Sequence, residues 1–193
     1  MKSKLLMILF VLILGSTLTT ALVSVDYYTK EPIARNKATK LRKSIMSSLR
    51  IAYTKETIDD SFTGNVETQE QGQTKFYQAK KSGDIAFEFH GMGLWGPISG
   101  TIALSPDLQQ IQGLSIVHQE ETPGLGGRIA ETEFLNRFEG KKIAAGIAIL
   151  SPGKAEAENE VDGITGATLS CKAFEAILNE EIKRYVSIIK ESR

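Results

Sequence analysis

The sequence predicts an α+β fold: an N-terminal transmembrane helix, then a single domain with a central, mainly antiparallel sheet flanked by helices. Three observations carry this expectation. A charge-free apolar run occupies residues 5–25. Apolar positions recur at helical spacing near both ends of the remaining chain, and short alternating runs separated by turn residues crowd its middle. Strands gathered between terminal helices are the α+β pattern, unlike the regular strand–helix alternation of a parallel sheet. The expected divisions are residues 1–25 as membrane anchor, 26–72 as a helical and loop linker region, and 73–193 as the folded domain.

The run from Leu5 to Val25 reaches about 30 Å as a helix, the thickness of a bilayer's hydrocarbon core. Lys2 and Lys4 precede it, favouring a cytoplasmic amino terminus. A cleavable signal peptide is the alternative, but Ala21-Leu22-Val23 and Val23-Ser24-Val25 fit a small-x-small cleavage site poorly. Lys30, Arg35, Lys37, Lys40, Arg42, Lys43 and Arg50 follow the run and pull towards the opposite orientation. Long domains, however, cross largely regardless of charge, so the folded domain is expected outside the cytoplasm.

After Pro32, Ala38, Leu41, Ile45 and Leu49 mark one face of a helix over residues 34–51. Residues 58–72 are polar and turn-rich and read as a loop. Strands are expected at 75–79 and 85–89 around the turn Lys81-Ser82-Gly83-Asp84, then at 98–104 and 111–117 around Ser105-Pro106-Asp107. Phe134, Leu135 and Phe138 suggest a short helix, residues 143–150 a further strand and 151–160 a loop. Phe174, Ile177, Leu178, Ile182, Tyr185, Val186 and Ile189 form the stripe of a closing helix.

Several function classes are disfavoured. Lysine plus arginine and aspartate plus glutamate number 23 each, a formal net charge of zero, whereas a nucleic-acid binder needs a basic field. Cys171 is the single cysteine, so no internal disulfide forms; a buried thiol is its expected state. His90, His118 and Cys171 lack the spacing of a zinc site, and no metal is expected at His118-Gln119-Glu120-Glu121. Gly91-Met92-Gly93-Leu94-Trp95-Gly96 matches Gly-x-Gly-x-x-Gly, yet Pro97 to Ile102 reads as turn and strand where a dinucleotide site requires a helix. Ser151-Pro152-Gly153-Lys154 sits in a Pro-Gly turn, and no catalytic residue is expected there.

Thr165-Gly166-Ala167-Thr168 is the most informative stretch. Thr168 supplies a hydroxyl, Gly166 and Ala167 leave the backbone approachable, and the closing helix begins beside them. The amino end of a helix favours a phosphate. The same residues also fit a plain turn and N-cap. A carboxylate repels phosphate, so Asp162 is expected in the Asp-Gly turn or as a feature recognised by a modifying enzyme.

The stretch Asp162-Gly163-Ile164-Thr165-Gly166-Ala167-Thr168 resembles the flavinylation signature of the FMN-binding domain family, Asp-x-x-Ser/Thr-Gly-Ala-Ser/Thr. Glu121-Thr122-Pro123-Gly124-Leu125-Gly126 resembles a loop of the same family. Gly91 to Gly96 resembles a segment of the C subunit of sodium-translocating NADH:quinone reductases; the G subunit of Rnf-type electron-transport complexes is the next likeness. The likeness runs from about Phe76 to the closing helix, although the chain is shorter than the usual C subunit.

The resemblance implies that residues 73–193 are an FMN-binding domain and that FMN is joined covalently through a phosphoester to Thr168. It implies cofactor contacts from Thr165, Gly166, Ala167, Leu94, Trp95, Glu121, Thr122, Leu125 and Gly126. A flavin transferase would recognise Asp162, Gly166, Ala167 and Thr168. Trp95 equally fits an ordinary core aromatic; for Glu121 and Thr122 the resemblance favours hydrogen bonds to the flavin ring, with turn-capping as the alternative. The implied protein is a single-pass subunit of the bacterial inner membrane, its domain on the periplasmic side, carrying electrons with other membrane subunits of a redox complex. Two alternatives stand beside it: a tethered non-covalent FMN-binding or assembly subunit, and a stand-alone extracytoplasmic reductase.

Overall fold

The alternating runs in the middle of the chain form a five-stranded antiparallel sheet in the computed structural model, which describes residues 2–54, 56–72 and 74–191. The strands are β1 (Val66–Gln71), β2 (Thr74–Ala79), β3 (Ile85–Met92), β4 (Pro97–Leu104) and β5 (Ile111–His118), and their spatial order is their chain order. Short turns suffice because each strand returns beside its predecessor. β3 and β4 pair from Ile85 opposite Leu104 to Met92 opposite Pro97, so residues 93–96 form a tight hairpin loop. The α+β expectation holds.

The chain divides into two units, residues 1–39 and 40–193. The first is the leading part of α1 (Lys2–Ser48), a helix long and apolar enough to cross a membrane by length and composition. Leu5, Phe10, Leu14, Leu22 and Val25 are exposed along it. Pro32 lies inside the helix, so the charge-free run and the amphipathic stretch after it are one element rather than two. A proline removes one backbone donor and crowds the carbonyl four residues earlier, yet α1 continues past it.

In the second unit the alternation along each strand gives the sheet two covered faces. Ile85, Phe87, Phe89, Ile98, Ile102 and Leu104 share a core with Phe174, Leu178, Ile182 and Tyr185 of α4 (Thr168–Glu191). Phe87 stacks on Tyr185 with ring centroids 4.1 Å apart, and Phe89 lies 5.8 Å from Phe174. These contacts fix the rotation of α4 about its axis, which decides where Thr168 points. Tyr77, Ala79, Ala86 and Ala103 face the other way, against Ile45 and Leu49. The Ser44 and Thr101 hydroxyls share a buried hydrogen bond of 2.8 Å there.

Residues 58–72, expected as a loop, form α2 (Ile58–Asn65) and β1. β1 is polar because it is an edge strand, with Val66 as its one buried residue, so no apolar alternation marked it. Asp59 and Asp60 lie in the first turn of α2, where the helix dipole favours them. The strand expected over 143–150 shrinks to β6 (Ala148–Leu150), which pairs in parallel with β7 (Glu160–Asp162), part of it inside the expected 151–160 loop. Gly146 turns at φ +79°, and the Ile147 backbone is paired by the Asn179 side chain instead of a strand. A 3₁₀ turn, Gly126–Ala130, and α3 (Thr132–Asn136) connect β5 to this region; Phe134 and Phe138 pack on Phe174.

Candidate functional site

Burial of Ala167, Cys171, Phe174 and Leu178 turns the opposite side of α4 outward and leaves Thr168, its first residue, exposed. The turn before it is closed by the Ala167 N–H donating to the Ile164 carbonyl at 3.1 Å. Gly166 takes φ +81°, a region most L-residues avoid, and a Cβ built there would lie 3.2 Å from Leu125 Cδ2. Thr165 and Gly166 are exposed beside Thr168.

Glu121 draws three separate segments together. Its side chain is buried, with 4% of the residue exposed. Oε1 accepts the backbone N–H of Leu94 at 2.7 Å and of Trp95 at 3.1 Å. Oε2 accepts the Ser170 hydroxyl at 2.6 Å. The β3–β4 hairpin loop, the 119–127 loop and the first turn of α4 therefore meet on one carboxylate. Gly126 makes the closeness possible: a Cβ there would stand 2.3 Å from Ser170 Oγ and 2.8 Å from Glu121 Oε2. The Glu121 N–H is itself held by Gln119 Oε1 at 2.6 Å.

Both carboxylate oxygens of Glu121 are thus engaged by protein donors, and the side chain belongs to the frame of the site. Thr122 is exposed, and its carbonyl accepts from the Leu125 N–H at 3.2 Å and the Gly127 N–H at 2.9 Å. The apolar side chains on the joined segments stay in solvent: Leu94 and Leu125 are exposed, Trp95 is 70% exposed, and Met92 and Leu169 likewise project outward. Trp95 is accordingly a surface side chain and not a core aromatic. Exposed aromatic and aliphatic groups gathered on joined segments mark a surface able to receive a partner or ligand.

Asp162 lies before this turn, and its side chain is engaged by a neighbouring loop. Its Oδ1 accepts the backbone N–H groups of Lys154 at 2.9 Å and Ala155 at 3.1 Å, so it caps the 151–155 turn. The Ala155 and Lys154 amides hold its carboxyl below the ordinary range. Arg137 Nη1 donates to the carbonyls of Asp162 at 3.1 Å and Gly163 at 3.3 Å, fixing the backbone that leads to Thr168. Beside Thr168 is a cleft of about 170 Å³ walled by Ser151, Pro152, Gly163, Cys171 and Lys172 among others. Cys171 is buried, and that burial pushes its thiol up. His118 Nε2 lies 3.0 Å from Glu120 Oε1 on the surface. Among the described residues no group of three or more His, Cys, Asp or Glu is placed to hold a metal.

Ser170, Arg137, Gln119, Met92 and Leu169 join the site without having been singled out in the sequence. Met92 and Gln119 lay inside stretches weighed for other chemistry, and Ser170 carried a signal as the hydroxyl two residues past Thr168.

Residues 93–183 match the family model described as the FMN-binding domain. This segment is therefore similar to the FMN-binding domain family. The matched span contains the hairpin loop, the Glu121 loop and the Thr168 turn. Over 100 residues the chain is 38% identical to the C subunit of the Na(+)-translocating NADH-quinone reductase of Neisseria meningitidis serogroup A, covering 49% of this chain and 39% of that protein. It is 29% identical over 126 residues to the corresponding protein of Chlamydia trachomatis, covering 54% of this chain and 40% of the relative. The aligned part thus spans about two-fifths of these relatives' length. The crystal structure of the C subunit from Parabacteroides distasonis superposes with a TM-score of 0.71 at 27% identity, covering 81% of this chain and 94% of that one. Shewanella oneidensis NqrC gives 0.67 at 18% identity over 75% and 91% of the two chains, a likeness of fold.

Proposed function

We propose that this chain is a membrane-anchored flavoprotein subunit that carries electrons through FMN attached by a phosphoester to Thr168. The complex is a sodium-translocating NADH:quinone reductase or a related Rnf-type assembly. Residues 1–25 are the single-pass anchor in the inner membrane, and the flavin domain, residues 73–193, lies on the periplasmic side. A flavin transferase reads Asp162, Gly166, Ala167 and Thr168 and makes the ester from a flavin donor with an activated phosphate. The P–O bond to the donor's leaving group breaks as the Thr168 hydroxyl gives up its proton.

The observation that carries this reading is the exposed Thr168 hydroxyl at the start of α4, with Glu121 binding the hairpin loop to the same turn. The residues fit the cofactor at both ends. A small cleft stands beside the hydroxyl, and Leu94, Trp95 and Leu125 offer exposed apolar surface beyond it. When bound, FMN exchanges electrons singly or in pairs, which links carriers of different kinds. The chain's own residues hold and orient it. Thr168 fixes the phosphate end, Trp95 and the leucines cover the ring, and the Glu121 tie keeps these two elements in register.

The test is intact-mass analysis and in-gel flavin fluorescence of the full chain made in a host that supplies the transferase. The wild type gains the mass of an esterified FMN and stays fluorescent after unfolding, and Thr168→Ala does neither. A wild-type chain without added mass refutes the ester; yellow colour released on unfolding marks a non-covalent FMN carrier instead.

A further inference from the structure

The cleft beside Thr168 contains one cationic side chain, Lys172. Thr168 and Lys172 are four apart on α4, so their side chains are neighbours on one face of the helix. Lys172 is moored at the cleft wall. Its Nζ donates to Glu175 Oε1 at 3.0 Å and Oε2 at 2.8 Å, and Glu175 also accepts the Ile149 backbone N–H. An ammonium has three N–H donors, so one remains for a further acceptor.

Size decides which part of a ligand fits. About 170 Å³ is well below the roughly 300–1,000 Å³ of pockets that enclose whole organic ligands. It excludes a tricyclic ring but admits a phosphate. The exposed apolar groups lie on the other flank of the turn, where Leu125 approaches Gly166. Thr168 thus stands between a small cleft, walled by Ile149, Leu150 and Ile164 as well as by Ser151 and the Lys172 ammonium, and an open apolar surface.

We propose that this cleft receives the phosphate group esterified to Thr168 and that Lys172 is its counter-ion. This rests on the reading of Thr168 given above. A phosphate diester keeps one negative charge, and the ammonium meets it while the Ile149 amide shares the opposing charge of Glu175. The polar end of the cofactor is then pinned at two points, an ester and an ion pair, and the ring is directed to the Leu94–Trp95 side.

The experiment is ³¹P NMR of the full flavinylated chain in detergent. The wild type should give one diester resonance that persists after denaturation and dialysis, which separates an ester from free phosphate. In the folded protein this resonance should move in Lys172→Gln, return towards its wild-type position in Lys172→Arg, and stay unmoved in Lys154→Gln. It should also move as salt is added to the folded wild type, which needs no variant to fold or be modified. An unmoved resonance in folded Lys172→Gln, or one insensitive to salt in the wild type, overturns the counter-ion assignment and leaves the ester standing. No persistent diester signal in the wild type overturns both.

Discussion

Replacing Glu121 by alanine strands three donors at once: the N–H groups of Leu94 and Trp95 and the hydroxyl of Ser170. Leu94 and Trp95 are exposed residues, so water reaches their amides and each costs about 1 kcal/mol, the low end of the range for a lost partner. Ser170 is buried with 3% of its surface exposed, and its stranded hydroxyl costs about 2 kcal/mol. Loss of the buried charge returns part of its desolvation cost, which brings the total to about 3 kcal/mol. With a urea slope of about 1.5–2 kcal/mol/M, typical of a domain this size, the midpoint should fall by about 1.5–2 M. The assay is urea unfolding of the full chain in detergent, followed by circular dichroism. Glu121→Gln is the decisive companion. Its amide oxygen still accepts from Leu94 and Trp95, and its NH₂ donates to Ser170 Oγ, so it should lie within about 1 kcal/mol of wild type. Equal midpoints for Glu121→Ala and wild type, or equal losses in both variants, would refute the tie.

Other outcomes are expected from the same geometry. Backbone amides depress the Asp162 carboxyl below its ordinary value of 3.8. Its stabilisation is therefore present above that value and lost as pH falls through the folded pKa. The midpoint difference between wild type and Asp162→Ala should be present at pH 6 and vanish in stronger acid; a constant difference would contradict this. Cys171, buried and with its thiol pushed up, should resist a disulfide reagent at pH 8 in the folded chain and react fully in denaturant; prompt native labelling would contradict its burial. Thr168→Ala should abolish attachment of the flavin while leaving the circular dichroism unchanged, because the exposed hydroxyl supports no core contact; a lost fold would instead give Thr168 a structural role.

β2 to β5 and α4 were legible because each buries a regular set of side chains: Phe87 and Phe89 at period two, Phe174, Leu178 and Ile182 at helical spacing. β1 escaped notice for the opposite reason. As an edge strand with polar residues on both sides it buries only Val66, and its ladder with β2 uses backbone groups that every residue possesses. β6 and β7 are three residues each, too short for any period to emerge.

The charge-free leading helix, the alternation that builds the sheet and the three glycine-rich or hydroxyl-bearing segments could be read along the chain, since these depend on local spacing and residue chemistry. Packing in three dimensions brings those segments together, commits Glu121 to Leu94, Trp95 and Ser170, and closes the cleft shared by Lys172 and Thr168. The physical reason is distance along the chain. Ser170 lies 49 residues beyond Glu121, and no local pattern records which donors meet a carboxylate until the packing of α4 on the sheet has fixed the helix's rotation.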